Sequence, residues 1–182
     1  MEIKHSHLIL DACCILNFCA SGYLIEILKS IPVQVVVAEV VREKELITLQ
    51  GFNKDERGAT QFESAITQGL LSVVDFESEA EEALFLDYAF ELGDDGESAT
   101  CAIALQRSWA IATDDKKAIS FWNREAPQLQ VLSTLEIVKH WSKEAKIPSE
   151  ILSNALTGIG IKGKYKPHKN HPLLAWWKAI LA

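Results

Sequence analysis

The chain is 182 residues long, 48% apolar and carries a formal charge of −7, enough material for one well-buried domain with a short appendage. No run reaches the roughly 20 apolar residues of a membrane-spanning helix, and the N-terminus lacks the long apolar segment and small-residue cleavage site of a secretion signal, so a globular cytoplasmic protein with no membrane partner is expected. The acidic total argues against a passive nucleic-acid binder, whose surface is basic, yet surplus carboxylate is what a divalent-cation site requires.

The first element is the apolar run HLIL, His7–Leu10, followed at once by Asp11 and then by a helical stretch holding Cys13, Cys14 and Cys19. With Cys101 these thiols show no CxxC spacing, and neighbouring thiols on one helix do not bridge easily, so reduced core cysteines are expected. Further runs follow at VQVVVA (33–38), LLSVV (70–74), WAIAT (109–113) and LQVLS (129–133). Each is short and nearly continuous in apolar residues, as parallel strands covered on both faces are. Between them, EAEEALFLDYAFEL sets Ala83, Leu84, Ala89 and Phe90 among acids, and ESATCAIALQRSW sets Ala99, Ala102, Ile103 and Leu105 on one side, both with helical period. Pro32 and Gly93 mark element ends, GFNKDERGATQ (51–61) reads as a polar loop, and Pro148 can start an added helix. Strand alternating with helix predicts an α/β fold around a parallel sheet.

In such a sheet the ligand site lies beyond the carboxyl ends of the strands, where the strand order reverses. Asp11 follows the first strand, Glu39 and Glu43 the second, and Asp114 and Asp115 follow WAIAT, while Glu97 opens the helix leading into that strand. Each acid has an ordinary explanation: Asp11 and Asp114 precede helices and suit N-caps, and Glu39 and Glu43 share one helix face in solvent. Four acidic positions at one sheet edge are harder to explain by capping. Without a cation they would raise one another's pKa values, and Mg²⁺ or Mn²⁺ removes that penalty.

The segments LILDACCILNFCASGYLIEIL, VVVAEVVREKEL, DDGESATCAIALQ and WAIATDDKKAI resemble, in order, the motifs of PIN-domain proteins of the VapC type, over about residues 6–135. The resemblance implies a three-layer αβα fold and a Mg²⁺- or Mn²⁺-dependent endoribonuclease. It also implies RNA as substrate, with an antitoxin protein and a second copy of the chain as candidate partners. Position by position it selects Asp11, Glu43, Glu97 and Asp115 as metal ligands, with Thr113 as the orienting hydroxyl; Glu39 and Asp114 are the neighbouring alternatives. The chain departs from the pattern at Ala12, where the family often has Ser or Thr, which keeps a catalytically inactive PIN-fold binding module as a second reading. A metal-dependent phosphatase is a third, but DACCI lacks the second Asp of a DxD loop.

The domain itself is expected over 1–145, with a basic, aromatic helical extension over 146–182. The last 32 residues hold five lysines and no acid, so they carry +5 against −12 for the rest. GIGIKGK (158–164) has phosphate-loop spacing, but Tyr165 and Pro167 follow and no strong strand precedes it, so it reads as coincidence. From Gly158 a Gly/Lys/Pro connector without assigned structure leads to LLAWWKAILA, whose tryptophans are expected to dock rather than stand in water. The lysines remain available to RNA.

Overall fold

The structure, a computed structural model, describes residues 1–44 and 57–182. Five strands, β1 (His7–Leu10), β2 (Gln34–Ala38), β3 (Ser72–Val74), β4 (Ala110–Ala112) and β5 (Val131–Leu132), pair in the order β3-β2-β1-β4-β5, every pair parallel. Each lies inside one of the five apolar runs. The central strands are almost wholly buried and therefore apolar without alternation, whereas the edge strands β3 and β5 are partly exposed.

Helices flank the sheet in a three-layer αβα arrangement. They are α1 (Ala12–Ser21), α2 (Leu24–Ser30), α3 (39–44), α4 (Arg57–Thr67), α5 (Glu79–Leu92), α6 (Asp95–Arg107), α7 (Lys116–Glu125), α8 (Thr134–Glu144), α9 (Ser149–Ile161) and α10 (Leu174–Leu181). Local chemistry sets their ends. Ser78 caps α5 by accepting from the Glu81 amide and Gly93 closes it with φ +74°, while Ser133 and Glu136 form a reciprocal capping box on α8.

Three sequence expectations change. The polar loop placed over 51–61 gives way to α4 from Arg57, while 51–56 lie outside the described residues. On α5, Ala83 and Phe90 face solvent, and the inward positions are Glu81, Tyr88 and Leu92. Glu81 is 3% exposed because Arg107 grips both its oxygens, at 2.7 and 2.9 Å, and stacks on Trp109. A buried acid with a bidentate partner is invisible to a hydropathy pattern, which reads it as surface. Helix α6, expected to bury one side, is buried nearly all round, because its small residues lie against β1, β2 and β4 and α5 packs on it.

The C-terminal segment is built onto the same core. Leu152, Ala155, Leu156 and Ile159 of α9 join the apolar cluster, and the backbone of α9 closes on α1 at Gly158. GIGIKGK therefore spans the last turn of α9 rather than a strand-to-helix loop. A Cβ on Gly158 would stand 2.4 Å from the Ala20 carbonyl oxygen, which is main chain and cannot rotate away. Gly158→Ala should therefore destabilise the protein by about 3 kcal/mol in urea unfolding, at the upper end for overpacking. An unchanged midpoint would mean that α9 does not pack on α1. Trp177 is buried beside Gly160 and meets Tyr165 edge-on at 5.8 Å, so the tryptophan docks as expected. Among the described residues no single helix is long and apolar enough to cross a membrane.

Candidate functional site

The strand order turns at β1 and β4: the chain runs outward from β1 to β2 and β3, then returns to the other side of β1. Diverging connections leave a crevice at the carboxyl ends of these two strands. Leu10 pairs with Ala112, and the ladder runs one step further through the Asp11 amide to the Ala112 carbonyl, 3.0 Å. Asp11 and Thr113 therefore leave the sheet side by side.

Asp11 is the N-cap of α1 and only 3% exposed. Its Oδ1 accepts from the Ala12 amide at 2.8 Å; its Oδ2 accepts from the Thr113 hydroxyl at 2.7 Å and the Cys13 thiol at 3.2 Å. Burial raises its pKa, the three hydrogen bonds oppose the rise, and Asp94 adds repulsion. The hydroxyl that Ala12 cannot offer is thus replaced by Thr113 and Cys13. Thr113 also accepts from the Asp115 amide at 3.1 Å, so one buried hydroxyl ties the two aspartates' backbones and side chains into register.

Asp115, not Asp114, caps α7, reversing the expected assignment; its Oδ1 takes the Lys117 and Ala118 amides at 2.7 and 2.9 Å. Asp114 instead binds the Thr134 amide and the Tyr165 hydroxyl through Oδ1, and the Asn17 amide through Oδ2, at 3.2 to 3.3 Å. It ties α1, α8 and the segment after α9 to the end of β4, and burial raises its pKa against those bonds.

Glu97 lies in the first turn of α6, whose cap Asp94 accepts from the Glu97 amide at 2.9 Å. Its carboxyl is pushed up to about 7, first by burial, then by the negative charges of Asp115, Asp11 and Asp94, with Lys117 only partly compensating. Asp11, Asp94 and Glu97 line a hollow of about 220 Å³, and Glu97 and Asp115 line an adjoining one of about 340 Å³.

Thus Asp11, Thr113, Glu97 and Asp115 are brought together. Glu43 is on the exposed side of α3, whose Val41 and Lys44 border the smaller hollow, and Glu39 pairs with Arg42 at 3.1 Å. Asp94 joins the site without having been singled out, although D-x-x-E before an apolar helix is a capping pattern. Tyr165, which the basic, aromatic composition of its segment marks as a candidate base-stacking residue, instead turns its hydroxyl onto Asp114.

The donor set at Asp11, Glu97 and Asp115 is all oxygen, anionic and mutually repelling, which suits a hard divalent cation. A softer group lies next to it: the Cys13 and Cys14 sulfurs and an Asp114 oxygen fall within 4.8 Å of one another. Cys14 is fully buried and its thiol pKa is raised by that burial, and Cys13 and Asp114 are spent on hydrogen bonds to neighbours. All four cysteines are free thiols. No family model matches the chain, and no curated protein matches it.

Proposed function

We propose that the chain is a PIN-type, metal-dependent endoribonuclease. The observation that supports this reading is the convergence of Asp11, Glu97 and Asp115 at the switch point of the sheet, where burial first, and the charges of Asp115 and Asp11 after it, push the Glu97 carboxyl up to about 7. A protein that used these acids only as helix caps would not need to aim a third one at them. Glu97 caps nothing: the cap of its helix is Asp94.

Asp11, Glu97 and Asp115 would hold Mg²⁺ or Mn²⁺. When bound, the cation supplies a water acidic enough to attack a phosphodiester and positive charge for the departing oxygen. The remaining work is done by the chain. The β1 and β4 ladder sets the spacing of Asp11 and Asp115, and the Thr113 hydroxyl fixes the Asp11 carboxylate plane. The cap bonds of Asp115 use Oδ1 alone, leaving Oδ2 to point elsewhere. Glu97, pushed up to about 7 in the metal-free chain, must release its proton before it can serve as a full ligand, so at subsaturating metal activity should climb as pH rises toward neutrality.

The test is direct. The purified chain should cut single-stranded RNA internally in Mn²⁺ or Mg²⁺, lose all cleavage in EDTA, and recover it when the ion is returned. Turnover of a phosphomonoester with RNA left intact would instead assign a phosphatase, and RNA cleavage that persists in EDTA would remove the metal from the reaction.

A further inference from the structure

The segment between α9 and α10 crosses the carboxyl edge of the sheet directly beside these acids. Gly163, Lys164, Tyr165 and Lys166 line the 340 Å³ hollow together with Glu97 and Asp115. On the other side of Tyr165 and Lys166 lies a second hollow of about 430 Å³, which also takes in Lys116, Asn123, His168 and His171. A strand leaving the acidic site would cross this segment to enter the second hollow.

The segment is pinned at alternate residues. Tyr165 turns inward, its hydroxyl on Asp114 at 3.3 Å and its ring against Trp177, and Pro167 is buried. Lys164 and Lys166, between and beside them, are exposed. Gly163 sits so close to α1 that a Cβ would meet Asn17 Oδ1 and the Ile159 carbonyl at 2.7 Å, which fixes the path of the chain. Lys164 holds φ +52°, a left-handed conformation that costs a side chain about 1 kcal/mol and that glycine or asparagine would adopt more readily. The tyrosine and the proline hold the segment, and the exposed positions it offers carry two cationic side chains. Charge points the same way, since a body at −12 repels a polyanion, while the C-terminal 32 residues, acid-free and at +5, bring Lys164 and Lys166 to the acidic hollow.

We propose that residues 163–168 form a rail for the backbone of single-stranded RNA, with Lys164 and Lys166 meeting phosphates that flank the one held at Asp11, Glu97 and Asp115, and Tyr165 holding the rail in place. The proposal rests on the ribonuclease reading for its ligand, and the experiment separates the two. Binding of a fluorescently labelled oligouridylate to the full chain is followed by anisotropy across a salt series with Ca²⁺ as the divalent ion, and cleavage is measured separately in Mn²⁺.

The double variant Lys164→Gln, Lys166→Gln should flatten the slope of log affinity against log salt by about 1.4, at about 0.7 for each lost single-strand phosphate contact. Lys178→Gln, which removes one positive charge at an exposed position of α10, should leave the slope unaltered, and far-UV circular dichroism confirms that both variants fold. Native cleavage with an unaltered slope in the double variant overturns the rail and leaves the nuclease standing. Binding that loses its slope in the double variant while the native chain fails to cleave supports the rail and removes the catalytic reading. If the native chain does not bind the oligonucleotide, the rail falls too.

Discussion

Asp11→Asn should reduce RNA cleavage at least about a hundredfold, some 2.7 kcal/mol of transition-state stabilisation, while leaving the folded protein as stable as before or more so. The two halves of this result come from the same carboxylate. Asn is as good an N-cap as Asp, and its amide oxygen can keep the 2.8 Å bond from the Ala12 amide. The amide nitrogen cannot accept from Thr113, but the hydroxyl can rotate and accept from it instead, having a lone pair left beside the one facing the Asp115 amide. What disappears is a negative charge that burial makes costly. A residue that relieves the fold when neutralised, and disables the reaction when neutralised, is held there for function. Thermal unfolding and a cleavage assay on the same preparation decide the matter. Cleavage at the native rate, or a fall in activity no larger than the fall in folded fraction, would reduce Asp11 to a cap.

The parallel sheet was legible because its central strands are covered on both faces, and such strands write themselves as unbroken apolar runs at 7–10, 33–38 and 109–113. The first and last acids were legible for the same reason: a charge immediately after a buried run has to lie at the strand's end. Glu97 could be placed near them only because α6 feeds β4, which pairs with β1. The second acid was not resolved by this logic, since position on a helix face depends on how α3 rolls against the sheet, and a one-residue difference separates Val41 on the hollow from Arg42, which faces Glu39.

Asp114 and Asp115 show the same limit. Adjacent acids at a strand end point in different directions, and only the partners decide which caps α7 and which is gripped by Asn17, Thr134 and Tyr165. The path of residues 162–173 was beyond sequence reasoning because its anchor is a contact between Tyr165 and Asp114, 51 positions apart. Composition identified it as basic but gave no hint that it lies over the acids.

Glu97 should make the metal-free protein lose stability as pH rises, opposite to the usual behaviour of a carboxylate. Its folded pKa of about 7 lies above the ordinary 4.5, so between those values the folded state binds more protons than the unfolded chain. Stability is then fully present below about pH 4.5 and declines through about pH 7, after which this contribution is flat. Asp11 and Asp114, also raised by burial, push in the same direction from lower starting points. After allowance for solvent screening of a partly exposed group, the Glu97 contribution is about 2 kcal/mol. Glu97→Gln should therefore stabilise the metal-free protein by about that amount at pH 8, do little at pH 5, and remove cleavage at both. Saturating Mn²⁺ should reverse the trend in the native chain, because the ion competes with the proton and binds more tightly as Glu97 ionises. In the variant, the Mn²⁺-induced rise in unfolding temperature should be smaller and less dependent on pH. Urea unfolding of both proteins in EDTA and in Mn²⁺, from about pH 5 to pH 8, measures every term. If the native chain in EDTA grows steadily more stable over that range, and the variant follows it in parallel, the three acids are not pressed together and the site loses its reason to hold a cation.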